Sequence, residues 1–228
     1  MRHAIYVTPA RGTALADAGA AWLGRDAFAD IARPRPEIPG LAPEEAARLT
    51  DDPRRYGFHG TMKAPFTLAD GRGEGDLVAA LEEFAAARAP FALRLHIALL
   101  GGFLALVPQE PEPALERLAA DCVRAFEPFR APPDAATLAR RQAAGLSPRQ
   151  QALLSAWGYP YVLEEFRFHL TLTGRLTPAQ ADVLLPAARA QFDALIGQPV
   201  LIDTLAVFRE AAPGEPFQVV SAARLGGG

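Results

Sequence analysis

The chain has 228 residues but one cysteine, Cys122, and one lysine, Lys63. A single thiol cannot close an internal disulfide, so packing and hydrogen bonds must hold the fold, as suits a reducing compartment. Cys122 lies in an apolar helical pattern with Leu115, Leu118 and Phe126 and reads as a small buried side chain. No apolar run approaches the ~20 residues of a membrane-spanning helix, and the apolar stretch after Met1 is too short for a signal-peptide core. The expectation is a cytoplasmic protein without membrane contact. A net charge of −3 argues against an overall basic surface for gripping extended nucleic acid, which leaves short RNA ends and small anions as partners. Also missing are a cysteine pair, a His-x-x-x-His spacing and a glycine-rich loop ending in Lys-Ser/Thr. No metal, no cofactor and no nucleotide-cradling loop is expected.

Half of the residues are hydrophobic, enough for one large core or two lobes. Four prolines between Arg33 and Pro43 mark a loop, and a short helix opening at Pro43 should end by Pro53. Phe91–Leu99 and Phe103–Val107 flank Leu100-Gly101-Gly102 and read as a hairpin. Helices are predicted at about 13–23, 74–88, 112–126, 134–144, 148–157 and 177–195. Ser147-Pro148-Arg149-Gln150 and Thr177-Pro178-Ala179-Gln180 supply capping boxes for the last two. Strands are predicted at 4–8, 200–209 and 217–223. The clearest runs from Phe166 to Thr173, where apolar and polar residues alternate strictly.

Two segments carry chemistry: His59-Gly60-Thr61-Met62 and His169-Leu170-Thr171-Leu172. Residues two apart on a strand point the same way. Each motif therefore presents an imidazole beside a hydroxyl. If both strands face one cleft, one neutral histidine can take a proton from water and the other can donate one to a leaving alkoxide. The hydroxyls can hold the phosphoryl oxygens between them. With four histidines among so few Ser and Thr, a chance pair of His-x-Ser/Thr motifs arises in about 2% of such compositions. Each motif is followed by a helix and two strands, a weak repeat that suggests two related lobes of mostly antiparallel sheet with helices outside, an α+β arrangement in one bilobal unit.

At these residues the chain resembles the 2H phosphoesterase superfamily, named for two His-x-Thr/Ser motifs each followed by an apolar residue. The contexts Arg55-Tyr56-Gly57-Phe58-His59 and Phe166-Arg167-Phe168-His169 look like a branch labelled phosphonate-metabolism proteins, and the similarity runs over nearly the whole chain. The resemblance implies a pseudo-twofold fold with a central cleft. It implies metal-independent acid/base chemistry by His59, His169, Thr61 and Thr171 on cyclic or 2′,5′ phosphodiesters. The branch label suggests a sugar cyclic phosphate as substrate.

Around the motifs, Lys63 and Arg167 fall on the same strand faces as the histidines and could stabilise phosphoryl charge. Arg141, with Arg140 as its rival, sits on a predicted helix between the lobes. Tyr6, Tyr56, Tyr159 and Tyr161 could stack on a sugar or base or bond phosphate, or could pack at a lobe edge. Arg209 is a weaker candidate at a strand end, and His3 and His96 lack the motif. The expected enzyme is a monomeric cyclic phosphodiesterase acting on a small phosphorylated metabolite. The alternatives are an RNA-end 2′,3′-cyclic phosphodiesterase or 2′,5′ RNA ligase-like enzyme, and a non-catalytic module binding a phosphorylated ligand in the same cleft.

Overall fold

The computed structural model describes residues 1–133 and 145–227. The predicted helix at 134–144, with Arg140 and Arg141, lies outside the described residues. In chain order the elements are β1 (Arg2–Val7), α1 (Ala14–Leu23), β2 (Arg25–Asp26), β3 (Ile31–Ala32), α2 (Pro43–Leu49), α3 (Asp51–Tyr56), β4 (Gly60–Phe66), α4 (Glu74–Ala86), β5 (Phe91–Leu100) and β6 (Phe103–Pro108). There follow α5 (Pro113–Ala125), α6 (Pro148–Trp157), β7 (Leu170–Thr171), α7 (Pro178–Phe192), β8 (Pro199–Ile202), β9 (Thr204–Glu210) and β10 (Gln218–Arg224).

Helix starts follow local chemistry. Thr13 caps α1 by accepting from the Ala16 N–H, and both capping boxes read from the sequence form at α6 and α7. The helix opened by Pro43 ends at Leu49, ahead of Pro53 as expected. Pro53 is not itself the stop. It sits in the first turn of the separate helix α3, where its missing N–H costs no bond.

Eight strands form an antiparallel sheet in the order β10-β9-β1-β4-β7-β6-β5-β8. The motif strands β4 and β7 are neighbours at its middle, with four strands on either side of the seam between them. Most strands that follow a motif join the other motif's side: β5 and β6 lie on the β7 side and β9 and β10 sit with β1 and β4, while β8 stays on the β7 side next to β5. The run predicted as one strand at 200–209 breaks at Asp203, whose carboxylate accepts from Thr204 and Arg224. Its first part pairs with β5 and its second with β1 and β10. One residue thus links β8, at one end of the strand order, to β9, next to the other end, so the sheet must curl to bring them together.

Alternation along β1 sorts two environments. Ile5 and Val7 enter the main core with Leu77 and Leu81 of α4, Trp22 of α1 and Phe192 of α7. Ala4 and Tyr6 join Ala206, Phe208 and Phe217 in a smaller cluster on the other face. Helix α4 packs on β9 and β10, α5 on β4, and α7 on β5 and β6.

Candidate active site

The two histidines are held alike. Nδ1 of His59 lies 2.9 Å from the Gly57 carbonyl, and Nδ1 of His169 lies 2.8 Å from the Arg167 carbonyl. A carbonyl can only accept, so in each ring Nδ1 carries the hydrogen. In each ring Nε2 is then the nitrogen that can accept a proton. Gly57 has φ +78°, in the left-handed region where a side chain is strained, and that conformation precedes the turn of its carbonyl onto His59.

The strand seam sets the spacing. Gly60 pairs with Leu170. Continuing that antiparallel register by one residue puts His59 opposite Thr171 and Thr61 opposite His169, with opposed Cβ atoms ~5 Å apart. On that register the four motif side chains share one face of the sheet, with the imidazoles on a diagonal of about 7–8 Å. Thr61 Oγ1 also lies 3.3 Å from His59 Nε2. The residue between the motif positions has its own role. A Cβ on Gly60 would stand 2.3 Å from Cε2 of Phe168, so glycine there lets the Phe168 ring lie against β4.

Electrostatics set the charge on His59. Burial, and to a lesser degree the neighbouring His169 when charged, lower the pKa of His59 to about 4 against the lift from the Gly57 carbonyl, so the ring is neutral at pH 7. Tyr6 stacks on it with centroids 3.7 Å apart, and Tyr56 and Phe208 flank it at 6.1 and 6.2 Å. His169 stands apart from this cage, with Phe103 at 5.7 Å. It lines a cavity of about 580 Å³ with Thr61, Phe103, Tyr161, Arg167 and Arg175.

Of the other residues singled out by sequence, Arg167 and Tyr161 reach this cavity, as does Tyr159, which meets Tyr161 edge-on at 5.6 Å. Tyr56 stands beside His59, its hydroxyl accepting from Arg55 at 2.6 Å and its ring stacked on Phe217. Three expectations are corrected. Tyr6 is 1% exposed and pressed between His59 and Phe208, so it has no ring face for a ligand. Burial also raises its phenol pKa well above the ordinary value and keeps it protonated. Lys63 turns away from the histidine face: two residues of β4 span one step of β1 between Thr61 and Lys63, and this bulge breaks the alternation. Its ammonium donates to the Val123 carbonyl and to Glu127 at 3.0 and 2.8 Å. Arg209 binds Glu74, which also meets His3.

The strand predicted at 166–173 pairs as a strand only at Leu170–Thr171. Thr173 is buried, accepting from the Leu104 N–H and donating to the Gly174 carbonyl. Trp22 of α1 donates to the Leu172 carbonyl at 2.8 Å and fixes this segment from the core side. Phe103 and Arg175 were not singled out by sequence. Phe103 hides in an apolar hairpin. Arg175 was visible as the next step of the polar series 167, 169, 171, 173.

Fold and site together define an α+β protein whose two neighbouring central strands each carry a histidine and a threonine, with Thr61 and His169 lining one cavity and His59 set in an aromatic cage beside it. The chain belongs to the family described as a protein of unknown function, DUF1045, whose model matches residues 61–218. It is 42% identical over 221 residues to a Janthinobacterium sp. (strain Marseille) protein named ribose 1,5-bisphosphate phosphokinase PhnN, covering 95% of this chain and 49% of that protein. A Laribacter hongkongensis (strain HLHK9) protein of the same name is 37% identical over 219 residues, covering 96% and 50%. The chain thus spans about half the length of these curated relatives. Among solved structures, TT0787 of Thermus thermophilus aligns over 100% of this chain and 99% of its own, at TM-score 0.48 and 16% identity. E. coli LigT complexed with ATP aligns over 98% and 96%, at TM-score 0.39 and 12% identity.

Proposed function

We propose that the chain is a metal-independent phosphodiesterase that opens a cyclic phosphodiester by two-histidine acid/base catalysis, with a sugar cyclic phosphate as substrate. The observation that carries this reading is the matched pair of imidazoles, each tautomer fixed by a carbonyl two residues back and each ring set across the seam from the other motif's threonine. His59, neutral through burial, takes a proton from water at Nε2. The water oxygen bonds to phosphorus, and the bond from phosphorus to one sugar oxygen breaks. Protonated His169 delivers its Nε2 proton to that oxygen, which leaves a phosphomonoester and a free hydroxyl. Thr61 and Thr171 donate to the phosphoryl oxygens. The large cavity opens beside His169, so the sugar lies on that side and water is activated on the other. That placement supports His169 as the acid.

The relatives' name supports a pentose phosphate. Opening a phosphate ring on C1 of ribose 5-phosphate would yield ribose 1,5-bisphosphate, the compound in that name. The sequence has no glycine-rich loop of the kind that holds a nucleotide for phosphoryl transfer, so in this reading the kinase activity belongs to the part of those proteins that this chain does not span. Tyr161, 46% exposed at the cavity, keeps a base and therefore an RNA end as a second reading.

Phosphorus NMR against a panel of sugar, nucleoside and oligoribonucleotide cyclic phosphates tests both. Ring opening should persist in chelator and fall by roughly 10²–10⁴-fold in His59→Ala and in His169→Ala. Undiminished turnover in either variant refutes the mechanism, and turnover confined to the oligoribonucleotide moves the substrate to RNA.

A further inference from the structure

The cavity beside His169 carries more positive charge than one phosphodiester needs. Arg167 and Arg175 both line it, two steps before and six residues after His169. Arg130 and Arg149, by contrast, are matched by carboxylates, Glu127 and Glu164. Among the described residues Arg167 and Arg175 have no such partner. The one acid at the cavity wall, Glu165, accepts from the Gln150 side chain at 2.9 Å instead. The mechanism does not use either guanidinium, because the imidazoles and hydroxyls already serve the phosphorus undergoing attack. Both guanidinium groups are exposed at the same concavity and free to bind an anion that enters it. Guanidinium groups bind phosphate oxygens through paired N–H bonds.

We infer that Arg167 and Arg175 form a subsite for a second, terminal phosphate, so that the substrate is a sugar carrying both a cyclic phosphodiester and a separate phosphomonoester. This rests on the phosphodiesterase reading for the identity of the first phosphate, but the subsite itself is a binding property. The cavity volume of about 580 Å³ falls within the usual range for a small-molecule site and leaves room for a pentose between the two phosphates. The product is then a sugar bisphosphate. The reaction before this one must leave a phosphate ring on an already phosphorylated sugar, and the one after it must act on a bisphosphate.

The test compares ligands that differ by one phosphate. Calorimetry should find ribose 1,5-bisphosphate bound roughly 10- to 100-fold more tightly than ribose 1-phosphate, the range of one or two charge-assisted contacts. That ratio should collapse toward one in Arg167→Ala and Arg175→Ala, and return in part in Arg175→Lys. In the kinetic arm, the ratio of kcat/KM between ribose 1,2-cyclic phosphate with and without a 5-phosphate should follow the same pattern. Equal affinity of the natural protein for the two ligands, or a preference retained in both alanine variants, overturns the subsite. A binding preference without turnover of any cyclic phosphate upholds the subsite and refutes the phosphodiesterase reading alone.

Discussion

Among single residues, His59 should leave the clearest mark on the pH dependence. With its pKa near 4, kcat/KM should hold on the acid side down to about that pH and then fall about tenfold per unit. A decline that begins near 6.5 would contradict the depressed pKa of the base. The same shift affects stability. Between the unfolded value of about 6.5 and the folded value near 4, the unfolded chain binds the proton and the folded one does not. The contribution of His59 is therefore complete above about pH 6.5 and is lost as pH falls toward 4, on the order of 3 kcal/mol at most for a partly exposed ring. Denaturant midpoints between pH 7 and 4 should drop more steeply in the natural protein than in His59→Gln, and parallel curves would contradict the depressed pKa. Lys63 makes a second case. Burial lowers its pKa, with Glu127 opposing, and its side chain is only 4% exposed. Glu127→Gln strands this ammonium and should cost about 3 kcal/mol, whereas Lys63→Met frees a better-solvated carboxylate that keeps Arg130 and should cost less. Urea unfolding orders the two, and a larger loss for Lys63→Met would contradict this account.

At the scale of elements, the seam between β4 and β7 governs the site. Its closeness depends on Gly60, where a methyl group would meet the Phe168 ring at 2.3 Å. Gly60→Ala should destabilise by about 1–3 kcal/mol through that overlap and should also lower kcat, since parting the strands separates His59 from Thr171. Gly60→Ala with Phe168→Leu should recover part of the stability, and additive losses would place the strain elsewhere. Much of this was legible in the sequence, because it is local. Period-two alternation put each His and Thr on one face, and capping boxes located α6 and α7 at their observed starts. What failed depended on partners remote in sequence. The bulge that turns Lys63 inward exists only in the pairing of β4 with β1. The short extent of β7 reflects pairing with β6 and β4 over one or two residues each, while the alternating run around it is fixed by Trp22 and Leu104. In the segment Val200–Arg209 the break is marked only by Asp203, and one polar residue between two apolar, β-prone halves does not announce that they pair with different strands.

At the scale of the whole molecule, the exchange of strands between the two sides has a mechanical consequence. Neither half of the chain contains all the strands of one side. Residues 1–133 supply β1 and β4 without β9 and β10, and β5 and β6 without β7 and β8. β1 would lose its whole partnership with β9, which runs from Arg2 opposite Glu210 to Val7 opposite Leu205. Residues 145–227 keep β9 and β10 as a hairpin and little else of the sheet. A lone two-stranded hairpin is marginal in water, so the two sides must fold together although each motif has its own set of four strands. Cys122 provides a direct probe. It is fully buried, and burial raises its thiol pKa far above the ordinary value, so alkylation has to wait for opening. Its labelling rate in rising urea should track the loss of β9–β10 structure in one cooperative transition. Residues 1–133 expressed alone should leave Cys122 reactive, and protection should return on mixing with residues 145–227. A fragment 1–133 that protects its thiol unaided would mean that β1, β4, β5 and β6 fold without their partners, and the two motif strands would then be docked after folding rather than formed within it.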